Sequence, residues 1–285
     1  MTTGAQMKAG HRDRAWIERE YNREKYPRVL AAIRETLTSG ERDLARILGQ
    51  VCFHERGSMT LSMHKEVVCG GHVIQAPVLF AAGGVSSFVV EALAEACSPE
   101  TDMVIELGAG WGRNLFQLHL SGRISAGTQL RALEFAETAR VAGTLIASAI
   151  PSVPFEAIAY DYHAPDYNMI PLSDAPTLVA TIHSVEQIPA LSADVILKLL
   201  KRRPRLRGIH IEPVSFQIPV DRRGLRGALT SADYAATHDY NRNLWRLLSA
   251  LEARGLIKID DVVPDVIGLN PSNPSTLICW HSKQG

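Results

Sequence analysis

Residues 103–114 have the sequence Met-Val-Ile-Glu-Leu-Gly-Ala-Gly-Trp-Gly-Arg-Asn, and this stretch decides the fold. Its start is short and apolar, as in a buried strand, and three alternating glycines follow as a turn. The spacing after the turn predicts an amphipathic helix, with its apolar side formed by Leu115, Phe116, Leu118 and Leu120. A strand, a glycine turn and a helix in succession are how an open α/β sheet forms a nucleotide site, because glycine lets the backbone approach a ligand closely.

The spacing of the glycines and one acid indicate what this turn binds. A dinucleotide site would have the pattern G-x-G-x-x-G and would place a pyrophosphate at the helix N-terminus. Here the pattern is G-x-G-x-G, and Glu106 stands two residues before Gly108. A carboxylate at that position would repel a pyrophosphate, whereas it suits a cationic group such as the amino or sulfonium end of a methionine-like molecule.

Two further acids follow predicted strands. The segment Gln129–Glu134 is predicted to be the second strand, and it ends on Glu134, 22 residues after Gly112. An acid at about this distance grips a ribose through its hydroxyls. The third strand is predicted over Phe155–Tyr160, and Asp161 and Tyr162 come directly after it.

The stretch with Glu106, Gly108, Gly110 and Gly112 resembles motif I of the class I S-adenosylmethionine-dependent methyltransferases, E/D-x-G-x-G-x-G. The resemblance extends over about residues 85–285. It implies an α/β fold with a doubly wound, mostly parallel sheet of seven strands, and S-adenosylmethionine as the cofactor. The alternative is a structural glycine turn in another kind of α/β protein.

The resemblance also implies roles for the other cofactor-site residues. Glu134 would hold the ribose hydroxyls, Asp161 would accept a hydrogen bond from the adenine amino group, and Tyr162 would cover the ring. The alternatives without a ligand are an exposed strand-end acid for Glu134, a helix N-cap for Asp161 and core packing for Tyr162.

The fourth predicted strand, Thr177–Ile182, runs directly into a polar cluster formed by His183, Ser184, Glu186 and Gln187. The carboxyl end of this strand borders both nucleotide and acceptor in a doubly wound sheet. Buried polar groups need partners, so we expect His183 or Glu186 to act on the acceptor, with His183 also beside the cofactor. Alternatively, these polar side chains only form hydrogen bonds with backbone groups of their own loop.

The fifth strand, predicted over Arg207–Ile211, ends at Glu212. Glu186 and Glu212 are therefore expected to face one cleft from adjacent strands, where two carboxylates need a cation between them. An acceptor with an amine would supply that cation. The connection 214–237 adds candidates for binding a substrate carboxylate, or for simple surface solvation, in Arg222, Arg223 and Arg226.

These features predict methyl transfer to a small-molecule acceptor, with N-methylation of an amine- or amino-acid-like metabolite favoured and S- or O-methylation open. A hydroxyl acceptor would need a base, for which His183 and His238 are the candidates. The alternatives are a peptide or RNA methyltransferase that docks through the basic run 201–207, and a module that binds S-adenosylmethionine without catalysis. For the basic run itself, a solvated helix end is the favoured interpretation.

Composition sets the outer bounds. A net charge of +0 makes a general nucleic-acid binder unlikely. Four cysteines without C-x-x-C spacing indicate reduced thiols and no zinc site. His54, His64 and His72 do not have the spacing of a known metal-binding motif. No apolar stretch is expected to reach membrane-spanning length, and the charged N-terminus has no apolar signal core. We therefore expect a cytoplasmic protein.

The chain is predicted to have two parts. Residues 1–10 are expected to be disordered, and residues 1–84 as a whole form a helical extension that serves as a lid, as a homodimer contact or as simple packing on the core. Residues 85–285 form the catalytic domain. It begins with a helix over Ser87–Cys97, preceded by a turn at Gly83-Gly84, and its last helix is predicted over His238–Arg254.

Overall fold

A computed structural model describes residues 14–56, 63–219 and 228–283. Within them nine strands form one sheet: β1 (His64–Cys69), β2 (His72–Pro77), β3 (Met103–Leu107), β4 (Gln129–Glu134), β5 (Phe155–Ala159), β6 (Thr177–Ile182), β7 (Leu206–Glu212), β8 (Ile257–Gly268) and β9 (Ser275–Ser282). The helices are α1 (Arg14–Ile17), which continues as a π-helical segment (Glu18–Lys25), α2 (Tyr26–Thr38), α3 (Leu44–Arg56), α4 (Val78–Ala96), α5 (Arg113–Leu120), α6 (Glu137–Ala149), α7 (Asp194–Arg202), α8 (Ala228–Thr237) and α9 (Leu244–Ala253).

The strand order is β2-β1-β8-β9-β7-β6-β3-β4-β5. The five strands from β7 to β5 are parallel, and β9 lies antiparallel between β7 and β8. The chain order reverses between β6 and β3, which is the switch point where open α/β sheets bind ligands. The predicted doubly wound, mostly parallel sheet is confirmed.

Both faces of the sheet are covered by helices. Val104 faces a core built with α2 to α6, whereas Met103 and Ile105 face a second core built with α7 and α9. A strand that is buried on both sides has no polar face. This explains why residues 103–107 are apolar apart from Glu106, whose carboxyl group belongs to the site.

The hairpin of β1 and β2 departs from the sequence prediction. It lies inside the predicted helical extension, and β1 pairs with β8 through Val68 and Gly268, which raises the strand count from seven to nine. Gly70 and Gly71 form the hairpin turn, with φ of 55° and 76°. The strands were missed because His64, Lys65 and Glu66 at the start of β1 are exposed and polar.

Helix α4 begins at Val78, well before the predicted start at Ser87, and it contains the predicted turn Gly83-Gly84. Packing overrides the poor helix propensity of glycine here, since Val89 and Leu93 are buried in the core. By length and composition α4 could cross a membrane, with a mean hydropathy of 1.5. The expectation that no stretch would reach that length was therefore wrong.

The segment before α9 also differs from prediction. A separate helix, α8, occupies residues 228–237, and α9 begins at Leu244 rather than at His238. Asn241 separates the two, because its side-chain oxygen accepts hydrogen bonds from the backbone N–H groups of Asn243 and Leu244 at 3.0 and 2.8 Å. The predictions for residues 1–10 and for Arg222, Arg223 and Arg226 fall outside the described residues.

Candidate active site

A cavity of about 420 Å³ opens at the carboxyl ends of β3, β4, β5 and β6, at the switch point of the sheet. One wall is formed by the glycine turn and the strand tips, and the opposite wall by the π-helical segment, α3, α4 and the β8–β9 loop. Of the predicted site residues, the following line it: Glu106, Gly108, Gly110, Glu134, Asp161, Tyr162 and His183.

The glycine turn has the geometry that its sequence requires. Gly108, Gly110 and Gly112 have φ of 67°, 57° and 84°, a region that side chains rarely adopt. A Cβ atom on Gly108 would lie 2.5 Å from Cβ of Ser184, and one on Gly110 would lie 2.6 Å from the Tyr26 hydroxyl. The turn is therefore closed on both sides, and Gly112 shapes it from behind the cavity wall.

Glu106 lines the cavity, and one of its carboxyl oxygens is buried without a hydrogen-bond partner among the described residues. The residue is 1% exposed, and its Oε1 accepts a hydrogen bond from the Asn114 side-chain amide at 2.6 Å. Its Oε2 has no hydrogen-bond partner among the described residues. Burial raises the pKa of Glu106 to about 8, opposed by the Asn114 bond and the Arg113 charge. Such a group fits a cationic ligand, which would satisfy the free oxygen and favour its ionised form.

Glu134 fastens the glycine turn to the tip of β4. Its Oε2 accepts from the Gly110 N–H and its Oε1 from the Ala136 N–H, both at 2.7 Å. Burial raises the pKa of Glu134, and these two bonds oppose the rise. Each carboxylate oxygen can accept a further hydrogen bond, so the residues present are compatible with ribose hydroxyls at this position, and that role stays a prediction.

The two residues after β5 differ in their surroundings. Asp161 lines the cavity, and its Oδ1 accepts from the His163 N–H at 2.8 Å in a local turn. Tyr162 is buried, and its hydroxyl donates to the Leu107 carbonyl at 2.9 Å. Its ring packs edge-on against Tyr160. The structure thus places Tyr162 within the wall as a packing residue, with one surface on the cavity.

His183 lies at the centre of a hydrogen-bonded chain at the tip of β6. Its Nδ1 is 3.0 Å from Oε2 of Glu186, and its Nε2 is 2.7 Å from Oγ of Ser275, which also lines the cavity. The backbone φ of His183 is 49°, an uncommon value for a residue with a side chain. Burial opposes protonation, but the carboxylates of Glu186 and Glu212 outweigh it and raise the pKa of His183.

The structure corrects the expectation that Glu186 and Glu212 would face one cleft. Glu212 is 0% exposed, and its carboxylate accepts the backbone N–H groups of Ser184, Val185 and Glu186 at 3.1, 3.1 and 3.2 Å. It is absent from the cavity wall, as is Glu186, which bonds to His183 and to the Gln187 side chain. The two acids are close because they follow adjacent strands. Their carboxylate oxygens, however, accept hydrogen bonds from residues of the loop after β6.

His238 also lies outside the cavity wall. Its Nδ1 is 2.8 Å from the Tyr234 carbonyl, and its ring stacks on the ring of Tyr234 with centroids 3.9 Å apart. Of the two predicted base candidates, His183 lines the cavity and His238 does not; the base role itself stays a prediction. No metal-binding group of His, Cys, Asp or Glu occurs within the described residues.

Several cavity residues come from parts of the chain that gave no local signal. The N-terminal helices contribute Tyr21, Lys25, Tyr26 and Glu55, and the β8–β9 loop contributes Asn270 and Asn273. Arg113 follows the glycine turn and pairs with Glu55, with 3.3 Å between Nη1 and Oε2. Residues of the N-terminal helices thus line the site, and buried Val29 and Ile33 pack these helices on the core. A lid or homodimer role for the extension stays a prediction.

No protein-family model and no curated protein matches the sequence. Solved structures do match the fold of the chain. One is a geranyl diphosphate methyltransferase in complex with S-adenosylmethionine, which has a TM-score of 0.51 and 10% identity over 73% of this chain and 89% of that one. Another is geranyl diphosphate C-methyltransferase from Streptomyces coelicolor A3(2), with a TM-score of 0.50 and 10% identity over 73% and 84%. Together with the strand order and the glycine turn, these matches show that the chain has the class I methyltransferase fold.

Proposed function

We propose that the protein transfers the methyl group of S-adenosylmethionine to a small-molecule acceptor. The observation that carries this proposal is the unpartnered Oε2 of Glu106, buried at the switch-point cavity beside a glycine turn. The cofactor supplies a methyl group on a sulfonium, which is already a strong electrophile. The protein's task is then mainly to hold donor and acceptor in line.

Three acids at the strand tips, taken in chain order, match three parts of this cofactor. Glu106 at the end of β3 would bind the ammonium group, and Glu134 at the end of β4 would accept from the ribose hydroxyls. Asp161 after β5 would accept from the adenine amino group. All three line one cavity, and a carboxylate is a suitable partner for each of these donors.

The rest of the cavity supports a small polar acceptor. Beyond the cofactor side, it is lined by His183, Gln187, Asn270, Asn273 and Ser275. Its volume falls within the range of small-molecule sites. A module that only bound the cofactor would have no need for this second, polar region, so the cavity favours an enzyme.

Two arginines of the basic run 201–207 bind groups within the fold, whereas Lys201, Arg205 and Arg207 are exposed. Arg203 is 0% exposed and donates to Thr177 and Asp102 at 2.6 and 2.7 Å. Arg202 donates to the carbonyls of Ile170 and Asn168. These side chains hold the fold together, and the interpretation of the whole run as solvated was wrong for Arg203.

The hydrogen bonds of His183 favour a hydroxyl acceptor over the amine expected from the sequence. The argument for an amine needed two carboxylates facing the cleft, whereas Glu212 is fully buried and accepts three backbone N–H groups. A hydroxyl needs a base, and His183 lines the cavity with its ring oriented by Glu186. Nε2 of His183 would accept the proton of an acceptor hydroxyl that replaces Ser275, and the bound cofactor would supply the methyl group.

A methyl-transfer assay tests this function. Labelled S-adenosylmethionine would be offered with a pool of small phenols and alcohols, and separately with the matching amines. We expect labelled ether products from the hydroxyl pool. Cofactor binding without product from either pool would contradict the proposal, and product from the amine pool alone would overturn the hydroxyl acceptor.

A further inference from the structure

We propose that Arg113 binds the carboxylate of the cofactor's methionine portion and that Glu55 positions it. This role rests on the proposed function. The methionine end of the cofactor carries both an ammonium and a carboxylate. Glu106 satisfies the first, and the second needs a cation nearby, because a carboxylate left unpaired in a half-closed cavity loses its hydration without compensation.

Arg113 has the position and the free donors for this role. It is the first residue of α5, directly after Gly112, and it lines the same cavity as Glu106. Within the described part of the chain its guanidinium makes one hydrogen bond, from Nη1 to Glu55. A guanidinium has five N–H donors in a planar fork that matches a carboxylate. The remaining donors are available to a second carboxylate.

Among the described residues of the cavity wall, the other Lys or Arg side chain lies in a different place. Lys25 has its Nζ 5.2 and 5.5 Å from the ring centroids of Tyr21 and Tyr26 on the N-terminal helices. Its charge opposes the rise in the pKa of Glu134, whereas that of Arg113 opposes the rise at Glu106. Arg113 is thus the cation beside the predicted ammonium site, and Lys25 lies towards the ribose side.

Glu55 connects this contact to the N-terminal extension. It lies in the last turn of α3, and its side chain is 17% exposed against 33% for Arg113. A partly buried acid that holds one side of a guanidinium leaves the other side aimed consistently. Glu55 would therefore act through Arg113, and α3 would contribute to cofactor affinity without touching the cofactor.

Two ligands separate this contact from the rest of the site. S-adenosylhomocysteine has the amino-acid end, whereas 5′-methylthioadenosine keeps the adenine, ribose and sulfur and lacks it. By calorimetry, Arg113→Met should weaken S-adenosylhomocysteine binding by about tenfold or more and leave 5′-methylthioadenosine binding within about twofold. Arg113→Lys should fall between, and Arg123→Met, which breaks the exposed pair with Glu91, serves as the matched control.

Either of two results would overturn the role of Arg113. One is unchanged affinity for S-adenosylhomocysteine in Arg113→Met, and the other is an equal loss for both ligands, which would indicate a structural effect. Failure of the unaltered protein to bind S-adenosylhomocysteine would instead refute the proposed function. Glu55→Gln should reproduce the same selectivity with a smaller loss of about threefold, and an unchanged affinity would remove its positioning role.

Discussion

The two walls of the cavity are built in different ways. The wall proposed to hold the cofactor comes from the ends of β3, β4 and β5 and from the turn that follows β3, so each acid stands next to its own strand in the sequence. The wall proposed to hold the acceptor joins His183 to Ser275 and adds Asn270 from the β8–β9 loop, far along the chain from His183. The first wall is a local property of sequence and the second is a product of tertiary folding.

The sharpest test of this contrast is His183→Ala. Loss of the general base should reduce turnover by about 10²- to 10⁴-fold, while affinity for S-adenosylhomocysteine measured by calorimetry should change little. His281→Ala is a matched control, because His281 pairs with Asp260 away from the cavity. Near-normal turnover in His183→Ala would mean that the acceptor wall does not work by base catalysis.

Glu106→Gln should produce the opposite pattern. Replacing the carboxylate by a neutral amide removes its charged bond to the ammonium, and cofactor binding should weaken by about 1–3 kcal/mol. Thermal unfolding provides the control, since the buried carboxyl is mostly neutral without a ligand and the substitution should not destabilise the fold. Unchanged affinity by calorimetry would refute the assignment of Glu106.

The contrast also explains how far sequence reasoning reached. Strands β3 to β7, the glycine turn and the positions of Glu106, Glu134 and Asp161 follow from hydrophobic patterns and local backbone rules. The prediction that Glu186 and Glu212 face one cleft was wrong. The backbone groups that a buried acid binds depend on how the loop folds over that acid. Glu212 accepts three N–H groups of residues 184–186, and no sequence spacing shows that.

The N-terminal region shows a second limit. The hairpin of β1 and β2 gains its stability from pairing with β8, some 200 residues later in the chain. The first half of β1 is polar, and the apolar pairs Val67-Val68 and Val73-Ile74 are too short to give more than a weak strand signal. Likewise, Tyr26 is a site residue because its hydroxyl reaches Gly110, and a tyrosine at the start of a helix gives no sign of that contact.

Glu186→Gln should have a moderate effect with a characteristic pH dependence. His183 acts only when neutral, so turnover rises as the pH passes its pKa. The Glu186 carboxylate contributes to raising that pKa, and removing the charge should lower it and move the acidic limb of the profile to lower pH. We also expect about a tenfold lower plateau from poorer ring orientation. An unmoved limb in the pH–rate profile would contradict the coupling.

Ser275→Ala should have the smallest effect. Its hydroxyl holds Nε2 of His183 only until the acceptor arrives, so its loss costs one neutral hydrogen bond, about 0.5–1.5 kcal/mol. Because that bond is already broken when the acceptor reacts, steady-state kinetics should show a turnover within about twofold of the unaltered protein, with cofactor affinity unchanged. A loss as large as that of His183→Ala would show that Ser275 itself carries the proton.

The central claim is that Glu106 receives the cofactor's ammonium, and the most direct measurement is the proton release that accompanies binding. Because burial raises the pKa of Glu106 to about 8, its carboxyl is mostly protonated at pH 7 in the free protein. An ammonium beside it favours the ionised form and expels that proton. Calorimetric titration with S-adenosylhomocysteine in buffers of different ionisation enthalpy should therefore show close to one proton released, and none with Glu106→Gln. Binding without proton release, or no binding at all, would contradict the account.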